Sequence, residues 1–266
     1  MDQCDKVVGE ELMGKLILVC SIAYLLGSVN FAIIFFQLTG KGDPRLSFSG
    51  NAGTTNVYRQ SGFWWAALIF LLDLSRAAAV AALAVYFLSA SLIPWAGFCL
   101  VAGNSYPCFH KFYGGKGVAN YLGFVLFIAP WAAGLSTAIW LAVYGVFRIP
   151  FIASFFMIFI LSVGQACFFN WVFGAVAGSV ATFALILLNH KKNIMEIRVK
   201  RNKRSDRSSF SPAMQGSEAG HQSCADFPSP SVYTMPRAAG NQLPGHTPEN
   251  LPAEHLPAQQ NWRSSL

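Results

Sequence analysis

Three stretches of this chain carry side chains suited to gripping a phosphorylated molecule, and the sharpest is 113–120, Y-G-G-K-G-V-A-N. Glycines at 114, 115 and 117 allow the backbone N–H groups around Lys116 to close on an anion, and the ammonium supplies matching charge. The ligand implied is phosphate-like. The same glycines also suit a plain turn between two helices with a lysine at its polar end. A nucleotide-binding P-loop is excluded by position, because G-x-x-x-x-G-K-[ST] needs Gly at 110 and Ser or Thr at 117, where His110 and Gly117 stand. His110 beside Lys111 suits a solvated loop better than a catalytic role.

The second stretch, Gly40–Gln60, alternates small hydroxyl and amide side chains (Ser47, Ser49, Asn51, Thr54, Thr55, Asn56) with Gly50 and Gly53, between Arg45 and Arg59. So dense a set of donors can ligate phosphate oxygens or a polyol, with Arg45 able to take a phosphate through a two-pronged contact. An ordinary hydrophilic loop has similar turn residues. The third stretch, Leu188–Arg204, holds His190 and Asn193 at i and i+3, on one face if the last helix runs through them. Ser28 and Asn30 interrupt an apolar run, where polar residues face a neighbouring helix or a wet cavity. Asp73 and Arg76, also three apart, can neutralise each other as a structural ion pair.

The elements that must position these residues are membrane helices. Apolar residues make up 54% of the chain and charged residues only 12%, against roughly a quarter charged in soluble domains. Windows Leu16–Thr39, Phe63–Ser89, Leu92–Cys108, Val118–Phe147, Ile149–Phe169 and Trp171–Leu188 are apolar enough to span a bilayer, which takes about 20 residues. Val118–Phe147 is too long for one span and holds Pro130, so it is expected to divide into two helices. The expected fold is an all-α polytopic membrane protein of about seven spans, N-terminus outside and C-terminus cytoplasmic, with six spans as the alternative. The acidic start (Asp2, Glu10, Glu11) does not resemble a cleaved signal peptide.

The net charge of +7 does not point to nucleic acid, because the cations crowd span ends. With seven spans, Lys41, Arg45 and Arg59, then Lys111 and Lys116, then Arg148, then the cluster from Lys191 to Arg207 all share the cytoplasmic face. That cluster also suits anionic lipid headgroups. Six cysteines lie far apart without a C-x-x-C pair, as expected of packing residues. From residue 205 Ser, Pro, Gln, Gly and His dominate, so residues 1–204 are expected to form the membrane domain and 205–266 a disordered cytoplasmic tail.

In order and spacing the three segments resemble the motifs of the acyl-phosphate-dependent glycerol-3-phosphate acyltransferases, the PlsY family. Gly27-Ser28 with Asp43–Arg59 resembles the first motif, Gly103–Ala119 with its G-G-K-G core the second, and His190–Ile194 the third. The resemblance implies an inner-membrane, multi-pass enzyme whose active site opens to the cytoplasm. It would move a fatty acyl group from acyl phosphate to the sn-1 hydroxyl of glycerol 3-phosphate, giving lysophosphatidate, with no metal or nucleotide cofactor. Ser28, Lys116, His190 and Asn193 would be catalytic. Arg45, Ser49, Gly50, Asn51, Thr55, Asn56, Gly114, Gly115 and Gly117 would bind substrate. Partners would be membrane lipids and the upstream enzyme that forms acyl phosphate. Four positions depart from the family pattern: Asn104, Tyr113, Phe151 and Asn202. A transporter of a phosphorylated small molecule and a non-catalytic paralogue are the alternatives. The H-x-x-x-x-D dyad of other acyltransferases is missing after both His110 and His190.

Overall fold

The computed structural model describes residues 2–191, 193 and 195, with side chains from residue 9 onward. These residues form helices and turns, with no strand among them. The tail expected from residue 205, the boundary at 204 and the departure at Asn202 lie outside the described residues.

The first apolar window, expected to be one span, is two helices that part at its polar residues. Helix α1 (Asp2–Ser28) stops, and α2 (Phe31–Leu38) begins after Asn30, whose side chain accepts the Ile33 N–H at 3.1 Å and caps the new helix. The loop that follows contains a single 3-10 turn (Pro44–Leu46) and α3 (Thr54–Ser61). Helices α4 (Phe63–Phe87) and α5 (Ile93–Ser105) come next. After the glycine-rich loop, the long window divides as expected into α6 (Val118–Ile128) and α7 (Pro130–Phe147). Helix α8 (Pro150–Phe168) and α9 (Phe173–Asn189) complete the bundle. Proline opens α7 and α8, where its fixed φ suits a first helical turn and its missing N–H costs nothing.

Among the described residues four stretches are long and apolar enough to cross a membrane: Gly9–Leu38, Phe63–Phe87, Pro130–Phe147 and Pro150–Phe168, with α6 and α9 as shorter apolar helices. Their outward faces carry large apolar side chains such as Trp64, Leu71, Trp131, Phe159 and Phe173, suited to lipid rather than water.

Two features set the position of the site. Helices α1 and α5 cross at Gly27 and Gly103, where an added Cβ would strike the backbone of Leu100 and Tyr24 respectively. Small residues let the two backbones touch, and the ends of both helices, Ser28 and Asn104, are thereby brought together. A buried polar cluster ties α6, α8 and α9: Tyr121 Oη lies 3.0 Å from Ser162 Oγ and donates to Gln165 Oε1 at 3.1 Å, and Ser179 Oγ donates to the same oxygen at 2.9 Å. Away from water such bonds hold relative rotation as well as separation, and they fix where α9 delivers His190.

Candidate active site

The first polar loop is built on its own side chains. Asp43 accepts from the Arg45 backbone N–H at 2.9 Å and from Arg45 Nε at 2.8 Å and Nη2 at 2.6 Å. The remaining guanidinium nitrogen, Nη1, donates to the carbonyls of His110, at 2.9 Å, and Tyr113. The Arg45 fork is therefore filled by protein. Its bonds to Asp43 hold that carboxyl below its ordinary range and raise the guanidinium in turn. Burial, then the Arg45 charge, push His110 down. Tyr113 Oη donates to the Gly50 carbonyl at 2.8 Å. Asn56 Nδ2 donates to the carbonyls of Pro44 at 2.7 Å, Asn51 at 2.9 Å and Ser47 at 3.2 Å, gathering the loop around one amide.

The glycine-rich loop is joined to the first. Gly114 N–H donates to the Ser105 carbonyl at 3.1 Å, Gly115 N–H to the Asn104 carbonyl at 2.9 Å, and Ala52 N–H to the Gly114 carbonyl at 3.4 Å. The donors of Gly114 and Gly115, expected to face an anion, bind neighbouring backbone instead. Gly117 serves the turn: its φ of +86° is a left-handed conformation that starts α6.

The third segment closes the arrangement. Asn189 Nδ2 donates to Ser105 Oγ at 2.8 Å and to the Lys116 carbonyl at 3.5 Å, while Asn189 Oδ1 accepts from Tyr106 Oη at 3.2 Å. That clamp sets His190, just past α9, against the lysine loop. His190 is only 2% exposed, and its Nδ1 lies 2.8 Å from the Ile186 carbonyl. A carbonyl can only accept, so Nδ1 carries the proton and Nε2 of the neutral ring is an acceptor. Burial foremost, and then the nearby Lys116 charge, push the imidazole down to about 4, against a smaller rise from the Ile186 bond. The ring is uncharged at neutral pH.

These elements surround a cavity of about 890 Å³, within the usual range for a small-molecule site of roughly 300–1,000 Å³. Of the residues expected from sequence, Ser49, Asn51, Thr55, Asn56, Gly115, Lys116, Gly117, His190 and Asn193 line it. Ser28, Arg45, Gly50 and Gly114 do not. Ser28 is fully buried, donates to the Tyr24 carbonyl at 2.9 Å and accepts from the Cys108 N–H at 3.4 Å. It braces the joint between α1 and the second loop.

Sequence reasoning passed over several lining residues. Arg59, noted only as a bracket of the first loop, lines the cavity, and so do Arg148, Ser154, Asn120 and Asp73. No periodicity marks them; only their place at helix ends or among apolar neighbours could have. The first turns of α3 (Thr54, Thr55) and α6 (Val118, Ala119, Asn120) also line it. First-turn N–H groups have no intrahelical partner and carry the positive end of the helix dipole, so two helix starts add to Lys116 and Arg59 as an anion-attracting surface. Apolar lining comes from Phe70, Leu122, Trp140, Leu141, Phe151 and Met157. Two fully buried oxygens in lining residues, Thr54 Oγ1 and Asn56 Oδ1, have no partner among the described residues. Buried polar atoms are seldom left so. Among the described residues no three His, Cys, Asp or Glu side chains gather as metal ligands would.

Asp73 and Arg76 form the expected pair, with Arg76 Nη2 2.8 Å from Asp73 Oδ1. Arg76 also donates to Asn120 Oδ1 at 2.6 Å, to the Leu26 carbonyl at 3.2 Å and to the Val29 carbonyl, and its guanidinium lies 4.9 Å over the Phe31 ring. It holds the break between α1 and α2 in place. Of the departures, Tyr113 braces the first loop, Phe151 lines the cavity, and Asn104 sits where all the loops meet.

Residues 17–200 match the model of the glycerol-3-phosphate acyltransferase family. The chain belongs to this family. It is 45% identical over 125 residues to the glycerol-3-phosphate acyltransferase of Pseudomonas syringae pv. tomato, an alignment covering 47% of this chain and 65% of the relative. The chain thus spans just under two thirds of that relative's length. Glycerol-3-phosphate acyltransferase 1 of Rhizobium johnstonii is 37% identical over 179 residues, 66% of this chain and 84% of the relative. Among solved structures, the glycerol 3-phosphate form of PlsY, an integral membrane glycerol 3-phosphate acyltransferase, superposes with a TM-score of 0.65 at 31% identity, covering 70% of this chain and 93% of that one. A lysophosphatidic acid form of the same enzyme gives 0.63 at 30%. With its apolar helices, this PlsY-like chain is a membrane protein, helical in its described residues.

Proposed function

We propose that this protein transfers a fatty acyl group from acyl phosphate to the sn-1 hydroxyl of glycerol 3-phosphate, yielding lysophosphatidate and phosphate. One observation carries the reading: a single cavity is lined by three cations (Arg59, Lys116 and Arg148), two helix starts and a neutral histidine, together with apolar side chains from four helices. Phosphate and acyl chain have to be held together by such a surface. In the reaction the glycerol oxygen attacks the acyl carbonyl carbon, the bond from that carbon to the phosphate oxygen breaks, and phosphate departs. Acyl phosphate is a mixed anhydride with a good leaving group, so no covalent nucleophile on the protein is needed. Lys116 and Arg59 offset repulsion between two anionic substrates and stabilise the departing phosphate. Asn193, with Ser49, Asn51 and Thr55 of the first loop, suits the glycerol hydroxyls. The hydroxyl proton goes to His190 Nε2 or to a phosphate oxygen; the buried ring's low basicity favours the phosphate.

The cation distribution supports seven spans, with the N-terminus outside and the cavity open to the cytoplasm of a cell's inner membrane. There it would draw acyl phosphate from the enzyme that forms it. The test supplies membranes containing the protein with acyl phosphate and labelled glycerol 3-phosphate. Labelled lysophosphatidate from wild type and none from Lys116→Ala is the expected result. Uptake of label without product would instead indicate a transporter, and neither product nor uptake a non-catalytic paralogue.

A further inference from the structure

Asn104 lies in the last turn of α5, against the first and second loops, and is 4% exposed. Its hydrogen bonds define which way its amide points. Asn30 Oδ1 accepts the Ile33 N–H at 3.1 Å, so the other terminus of Asn30 is the nitrogen, which donates to the Ala52 carbonyl at 3.2 Å and reaches Asn104 at 3.5 Å. The Asn104 atom met by that donor has to be Oδ1. Nδ2 therefore points the other way. It lies beside the Cα of Gly115, 2.7 Å from where a Cβ there would stand, one residue before Lys116.

Asn104, Gly115 and Lys116 all line the cavity. Among the described residues no protein acceptor takes the Nδ2 hydrogens, and the atom is not one of the fully buried unpartnered ones. A polar donor held rigid by its own carbonyl and side-chain oxygen, yet left for the cavity, is arranged for a ligand acceptor. Lys116 beside it and the start of α6 select an anionic one.

We propose that Asn104 Nδ2 binds a phosphate oxygen of a substrate, making this residue a direct substrate contact in addition to a brace for the first loop. The proposal rests on the acyltransferase reading and deepens it. Both substrates carry phosphate, so the kinetics must decide which one is held.

The test uses the full-length protein in detergent, varying each substrate with the other saturating. Asn104→Asp keeps shape and an oxygen facing Asn30 while an acceptor bearing negative charge takes the place of the donor. It should raise KM for one of the two substrates by about tenfold or more, with kcat and unfolding temperature near wild type; the substrate whose KM moves owns the phosphate. Asn104→His, which offers a ring N–H at similar reach, should recover most of the lost affinity. Wild-type kinetics in Asn104→Asp would overturn the proposal, as would equal losses of kcat and thermal stability in both variants, which a bracing role alone predicts. If wild type makes no lysophosphatidate, the acyltransferase reading fails on its own. Calorimetry with inorganic phosphate then decides: weaker binding to Asn104→Asp supports the contact, equal binding refutes it.

Discussion

Arg45 and Arg59 bracket one loop, carry one charge each and stand among similar neighbours in sequence, yet they face opposite tasks. The Arg45 fork lies on Asp43 and on carbonyls of the second loop, while Arg59 lines the cavity with Lys116. The same division runs through the molecule. One set of polar groups (Asp43, Arg45, Ser28, Arg76) meets the backbone of neighbouring segments and fixes the loops. The other (Arg59, Lys116, His190, Asn193) is turned to a shared space. What separates Arg45 from Arg59 is the supply of carbonyl and carboxylate acceptors around the Arg45 guanidinium. A guanidinium surrounded by them is already neutralised and has no fork left for a phosphate.

If that division is right, variants should separate into losses of rate and losses of stability. The largest effect is expected from Lys116→Ala, which should lower kcat/KM for lysophosphatidate formation by about a thousandfold while its unfolding temperature in detergent stays near wild type. A parallel collapse of both would place Lys116 with the scaffold. Arg76→Met leaves Asp73 buried without its partner and frees the Leu26 and Val29 carbonyls. It should cost about 3 kcal/mol or more, read as a lower midpoint in thermal unfolding.

The paired arginines sharpen the contrast. Arg59→Ala should slow turnover about thirtyfold with stability unchanged, consistent with a charge-assisted contact worth about 2 kcal/mol. Arg45→Ala should lower stability by about 1 kcal/mol and leave the folded fraction with most of its activity. Reversed outcomes would exchange their roles.

The smallest effect concerns pH. Because folding pushes His190 to about 4 from an ordinary value near 6.5, the unfolded chain binds a proton between those values that the folded chain refuses. Stability should therefore fall as pH drops from about 6.5 toward 4, with no contribution from this residue above 6.5. His190→Gln should flatten that part of the profile, measured by unfolding midpoints across the range.

Much of the fold was legible because its signals are local. Apolar windows marked the helices and Pro130 marked the division of the longest one, whereas the break between α1 and α2 fell inside a window expected to be one span. The pairing of Asp73 with Arg76 followed from spacing and the cost of an unpaired charge among apolar groups. Most of the cavity's polar lining was legible too, because small hydroxyls, amides and glycines crowd into three short segments.

Composition and order along the chain determined that this is a helical membrane protein whose polar loops suit phosphate, and their motifs carried its family. Which cation meets the cavity, which glycine donors are already taken and where the Asn104 amide points were decided only by the tertiary structure. Those outcomes depend on acceptors that other segments bring, some from tens of positions away, such as the His110 carbonyl at Arg45 or the Asn104 side-chain oxygen at Asn30. A hydrogen-bonding group has one best partner at a time, and the chain's order does not say which will arrive.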